Sequence, residues 1–159
     1  MINRLNFFLA IFILSLTFVR SIIAEEFYFN TPEILVLEEG NLIKSLKGGN
    51  VKTNDNITIY ADEFEYNKIS SILIATGNVK AINIDDSTEI DADKITYIKN
   101  QEKLIARDNV VLKDIKKNIL LETDELIYER KKEKITSIDE TKILVEDKYN
   151  ISSKNVIFL

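Results

Sequence analysis

From Asn56 onward, apolar side chains fall on alternate positions of the chain. Ile57, Ile59 and Ala61 share one parity, and Leu73, Ala75, Gly77, Val79 and Ala81 do the same in the following run. A period of two is that of a half-buried strand, not of a helix. Ile, Val, Thr and Tyr dominate these runs, and their stiff or planar side chains suit a pleated surface. Polar interruptions at residues 67–71, 99–103 and 129–134 predict turns. The alternation also slips at regular places. Its parity is odd up to Ala61 and even from Phe64 to Tyr66, and it switches again between Ala92 and Ile95 and between Thr123 and Leu126. One extra residue at each place predicts a bulge or corner that keeps the apolar side chains inside as the strand bends. Asp62, Asp93 and Asp124 stand at these switches and are expected to accept hydrogen bonds from free backbone N–H groups there.

The slips belong to an internal repeat. ITIYADEFEY at 57–66, EIDADKITY at 89–97 and ILLETDELIY at 119–128 are three copies of one pattern, with successive Asp and successive Tyr residues 31 apart. LIATGNV at 73–79 returns as LIARDNV at 104–110, again 31 residues on. An incomplete copy, ISSKNVIF, closes the chain at 151–158, and Gly49-Asn50-Val51 marks residues 27–52 as a divergent first unit. The expected fold is all-β, built from stacked two-stranded repeats of about 31 residues that share one core and stay open at the ends.

The N-terminus differs in kind. A positive start at residues 1–4 precedes the uncharged run LNFFLAIFILSLTFV at 5–19, and the first acid is Glu25. This reads as an export signal over residues 1–24 with cleavage after Ala24, leaving a domain of residues 25–159. The alternative is an uncleaved membrane anchor in which Arg20 reaches the interface. No Cys follows the run, which excludes a lipoprotein anchor.

Composition then narrows the chemistry. The 159 residues contain no His, Cys or Trp, which removes thiolate and imidazole nucleophiles, disulfides and the usual zinc ligands. Loss of Arg4 and Arg20 with the signal deepens the net charge from −5 to −7, so no nucleic acid is expected as a partner. Carboxylate catalysis needs two acids in unequal surroundings, whereas the repeat places each Asp in the same one. Four glycines cannot build a calcium-binding β-roll. No catalytic, cofactor-binding or metal-binding residue is expected.

The recurring Ala-Asp at 61–62 and 92–93, followed about 15 residues later by Gly77-Asn78-Val79, resembles the OstA-like domain of the lipopolysaccharide-transport proteins. That family comprises a periplasmic bridge protein, its membrane-anchored partner and the N-terminal domain of the outer-membrane assembly translocon. The resemblance covers about residues 27–159. It departs at Thr123 in place of Ala and at Asp108 in place of Gly, and the first unit lacks a clear Ala-Asp. It implies a β-jellyroll, open at both ends, whose interior holds the acyl chains of lipopolysaccharide between the inner and outer membranes.

Under that resemblance the trough would be lined by Ile57, Ile59, Phe64, Tyr66, Leu73, Val79, Ile90, Ile95, Tyr97, Leu104, Val110, Leu112, Ile119, Leu121, Leu126 and Tyr128. Burial of acyl chains is worth about 0.8 kcal/mol per CH₂, enough to hold a lipid without chemistry. The competing expectation is that these residues simply fill a closed core. Val156, Ile157 and Phe158 would form an edge strand that docks by β-augmentation on other jellyrolls of the same system, unless the chain continues beyond Leu159. The expected location is the periplasm, with membrane association through partners and with the outer membrane if the chain is part of the translocon. Two charged runs, 113–117 and 130–134, are either solvated turns or a rim for anionic sugars and phosphates. The alternative function is a purely structural envelope repeat that pairs strand edges and carries no lipid.

Overall fold

The computed structural model describes residues 27–85 and 87–159, so the expected signal at residues 1–24 lies outside the described residues. The described chain forms fourteen strands linked by turns, three of which include a short 3-10 segment. In chain order they are β1 (Phe27–Asn30), β2 (Leu35–Leu37), β3 (Leu42–Ser45), β4 (Gly49–Thr53), β5 (Ile57–Ala61), β6 (Glu63–Asn67) and β7 (Ile72–Asn83). There follow β8 (Thr88–Ile98), β9 (Lys103–Asp114), β10 (Ile119–Glu129), β11 (Lys134–Ile138), β12 (Glu140–Val145), β13 (Tyr149–Lys154) and β14 (Ile157–Phe158). The predicted turns fall between β6 and β7, between β8 and β9, and between β10 and β11. Each 31-residue unit is thus two antiparallel strands.

All pairings are antiparallel and belong to one sheet. A crease crosses that sheet at mid-strand. Register shifts occur between Thr76 and Val79 in β7, between Asp91 and Lys94 in β8, and between Thr123 and Glu125 in β10. In the flanking strands the interruption is complete: Asp62 separates β5 from β6, and Asp139 separates β11 from β12. Residues with left-handed backbone cluster on this line, namely Gly77 (φ 79°), Asn78 (46°), Asp108 (64°), Asn109 (53°) and Asp139 (79°). Gly, Asn and Asp tolerate that region best, which is why they recur there.

The crease folds the sheet into two flaps. The first contains β1, β4, β5, β12 and β13, and the second β2, β3, β6, β11 and β14. The long strands β7 to β10 contribute half their length to each. Apolar side chains of both flaps meet between them. Phe27 of the first flap packs edge-on against Tyr66 (ring centroids 4.6 Å apart) and Tyr97 (6.0 Å) of the second.

Candidate functional site: the apolar interior and its mouth

The sixteen residues expected to line a trough come together in one cluster. Fourteen are buried, and Ile119 and Tyr128 are half-buried against them. Over most of its length the space between the flaps is filled by these side chains. The exceptions are its two ends: Phe29 and Ile43 at the N-terminal end, and Ile119, Tyr128, Ile135, Val145, Val156 and Phe158 towards the C-terminal end, are only partly covered. Tyr149 and Ile151 pair with Val145 and Ile143 and so share their inward face, yet remain 61% and 47% exposed; the matching strand of the second flap, β14, has only two residues.

The bend aspartates sit on the crease but bond differently from the expectation. Asn78 Nδ2 donates to Asp62 Oδ2 at 2.8 Å, and Asn109 Nδ2 donates to Asp93 Oδ2 at 2.7 Å. The donors are side-chain amides 16 residues on, across the crease from each aspartate, not free backbone N–H groups. The crease backbone is satisfied separately, with Gly48 N–H donating to Asp62 O and Asp62 N–H to Gly77 O. The third unit has Glu140 where the others have Asn. An ionised carboxylate cannot donate, so the side-chain bond made to Asp62 and Asp93 has no counterpart at Asp124. Hydroxyls replace alanine and valine in the crease of that unit: Thr141 donates to Ser137 Oγ at 2.7 Å and approaches Thr123 Oγ1 at 3.2 Å, while Thr123 donates to Ile138 O.

At the mouth, opposite the crease, the turns of the two flaps meet. Asp55, in the β4–β5 turn of the first flap, accepts from Tyr97 Oη at 2.6 Å and from Lys99 Nζ at 3.0 Å, and Arg130 Nη1 lies 3.1 Å away. All three donors belong to the second flap. Burial alone would raise the Asp55 carboxyl, but the hydrogen bonds from Tyr97 and Lys99 and the charges of Lys99 and Arg130 outweigh it and hold the group below its ordinary value. The Tyr97 hydroxyl is pushed up, chiefly by burial and then by the bond to Asp55. Beyond this clasp the mouth gapes into a cleft of about 430 Å³, with Thr88, Asp114, Lys116 and Lys117 on one lip and Tyr128, Arg130, Glu133 and Ile135 on the other.

The two charged runs form these turns and are largely engaged. Lys117 reaches Asp114, Lys116 donates to Asp85 O, Lys131 pairs with Glu102 and Lys132 with Glu129. Among the described residues, no group of three or more Asp or Glu is placed to hold a metal ion.

The edge residues divide. Val156 is tied to Ser137 through both its N–H and its carbonyl. Ile157 pairs with Thr136 and is exposed, while Phe158 pairs with Ile135 and turns inward. Sequence reasoning missed a longer edge, since all six residues of β13 are exposed and the strand pairs only with β12 among the described residues. It also missed Asp55, whose setting in Asn54-Asp55-Asn56 looks like any polar turn.

An antiparallel sheet folded along a crease, apolar within and open at its ends, defines a β-jellyroll of the open-ended kind. The chain belongs to the OstA-like protein family, whose sequence profile matches residues 34–158. Its fold is also that of LptH from Pseudomonas aeruginosa, described as the LptA-homologous periplasmic component of the conserved lipopolysaccharide transport device. The two superpose with a TM-score of 0.63 over 84% of this chain and 94% of that one, at 9% identity. No curated protein matches the chain in sequence.

Proposed function

We propose that the protein is a non-enzymatic module of lipopolysaccharide transport that shelters acyl chains between its flaps and docks end to end with other jellyrolls of the same system in the periplasm. The observation that carries this reading is the half-covered apolar end of the interior around Tyr128, Ile135, Val145 and Phe158, beside the cleft in the mouth. An acyl chain laid there replaces water contact with apolar contact at about 0.8 kcal/mol per CH₂, and it need not displace packed side chains to begin entry. Family membership and the fold shared with LptH support the substrate class.

Docking follows from the two ends. One presents β13 and β14, with Tyr149, Ile151 and Ile157 exposed, and the other presents β1 and β2, with Tyr28, Leu35, Val36 and Leu37 exposed. Unlike edges at opposite ends make a head-to-tail contact that extends into a row. Export by residues 1–24 would deliver the domain to the periplasm.

A photo-reactive phenylalanine at Tyr128 is expected to capture lipopolysaccharide in cells, whereas the same group at outward-facing Tyr60 is not. Equal labelling at the two positions would refute the trough. The second reading, a structural repeat without lipid, is favoured by the close packing of fourteen lining residues, and it predicts no lipid adduct at either position.

A further inference from the structure

Asp55 reaches across the mouth from the first flap, and its three partners all stand on the second. Tyr97 ends the second-flap half of β8, and Lys99 and Arg130 begin stacked turns. Those turns are held by their own backbone bonds, Lys99 N–H to Ser71 O and Arg130 N–H to Glu102 O. We propose that Tyr97, Lys99 and Arg130 form an anion-binding site at the mouth. Asp55 fills it as a built-in stand-in until the phosphate of an incoming amphiphile displaces it and releases the flaps. The inference rests on the trough reading and adds to it the head-group chemistry and the trigger for opening.

The charge balance favours a phosphate. Two cations converge on one carboxylate, which leaves one positive charge in excess, and a phosphate monoester offers up to two negative charges and three acceptor oxygens. The planar guanidinium of Arg130 suits two of those oxygens, and Tyr97 Oη supplies a neutral donor. The site is sheltered, with side-chain exposures of 17% for Asp55, 18% for Lys99 and 30% for Arg130. These interactions are therefore screened less than those of surface pairs. The nearby Glu102 carboxylate is held by Lys131 at 3.3 Å.

Position favours an amphiphile over free phosphate. Arg130 also lines the cleft beside Tyr128 and Ile135, so a phosphate held there places its tail at the half-covered end of the interior. Asp55 is the side chain through which the first flap grips Lys99 and Arg130, so head-group binding and parting of the flaps are coupled. Opening must in turn raise the affinity for the anion.

The test is titration calorimetry on the mature chain with inorganic phosphate, dodecyl phosphate and dodecyl maltoside. Spin labels on Ile69→Cys and Ile115→Cys, both in exposed turns of opposite flaps, report the mouth opening. Asp55→Asn, which keeps the shape but removes the competing charge, is expected to bind both phosphates about tenfold more tightly, and Arg130→Gln about tenfold more weakly. Dodecyl maltoside should respond to neither change, and dodecyl phosphate should widen the label separation. Lys99→Gln replaces Arg130→Gln if the latter fails to fold. Unchanged phosphate affinity in these variants overturns the anion site, even if both amphiphiles bind. If the substitutions act on phosphate but dodecyl phosphate binds no better than inorganic phosphate, the anion site stands and the trough reading falls.

Discussion

Substitution of Gly77 by Ala tests whether the crease is built from the Asp–Asn pairs. Gly77 has φ of 79°, and a Cβ there would lie 2.6 Å from Asp62 Oδ2 and 3.1 Å from Asp62 Cβ. The left-handed backbone costs a residue with a side chain about 1–2 kcal/mol. Relief of the clash must swing Asp62 away from Asn78, which forfeits part of a charge-assisted hydrogen bond worth roughly 1.5–3 kcal/mol. The expected loss is about 2–4 kcal/mol in urea unfolding, equivalent to a fall of about 8–15 °C in Tm for a domain of this size. In an Asp62→Ala background the clash with Oδ2 is gone, and Gly77→Ala should cost only the backbone term, so the two changes couple by about 1–3 kcal/mol. The equivalent Asp108 already carries a side chain at φ 64°, so Asp108→Gly should be neutral or gain about 1 kcal/mol. A cost below about 0.5 kcal/mol for Gly77→Ala, or an identical cost in both backgrounds, would refute the assignment.

A carboxyl depressed in the folded state stabilises above its unfolded pKa and loses that contribution as pH falls through the lower folded value. Because Asp55 lies below its ordinary 3.8, the parent protein should lose stability more steeply than Asp55→Asn below about pH 4, and parallel acid titrations followed by circular dichroism would contradict this. Ser45 Oγ is buried without a hydrogen-bond partner among the described residues, so Ser45→Ala should raise the unfolding free energy by about 1 kcal/mol; a loss would show that the hydroxyl is in fact satisfied. Thr141→Val removes the hydroxyl that Ser137 and Thr123 share and should cost about 1–3 kcal/mol by urea titration, with no cost indicating that the network contributes nothing.

The parts of this protein legible in its sequence are those governed by local rules. Alternation of period two marks the strands of the repeats because successive side chains of a strand point to opposite faces. Polar breaks mark their turns, and a one-residue slip marks the bend because it is the only way to keep Phe64 and Leu126 on the same side as Ile59 and Leu121. The 31-residue spacing then implies stacking, since no single unit can bury its own apolar face. What repeat symmetry concealed was the difference between units. It predicted one environment for three aspartates, whereas Asn78 and Asn109 donate to two of them and Glu140 stands where the third would need such a donor.

Tertiary structure alone decided which residues meet across the folded sheet. Asp55 is separated from Tyr97 by 42 positions and from Lys99 by 44, and nothing in the turn around Asp55 distinguishes it from any other solvated acid. It becomes a clasp only because the crease turns one flap over the other and the strand lengths bring their turns together at the mouth. The same folding decides that the interior is packed over most of its length and only partly covered towards its ends, because at the C-terminal end β13 has six residues where β14, at the matching place in the second flap, has two. Period and parity fix which face of each strand is apolar; how well each end of the interior is covered depends on where the pairing of distant strands ends.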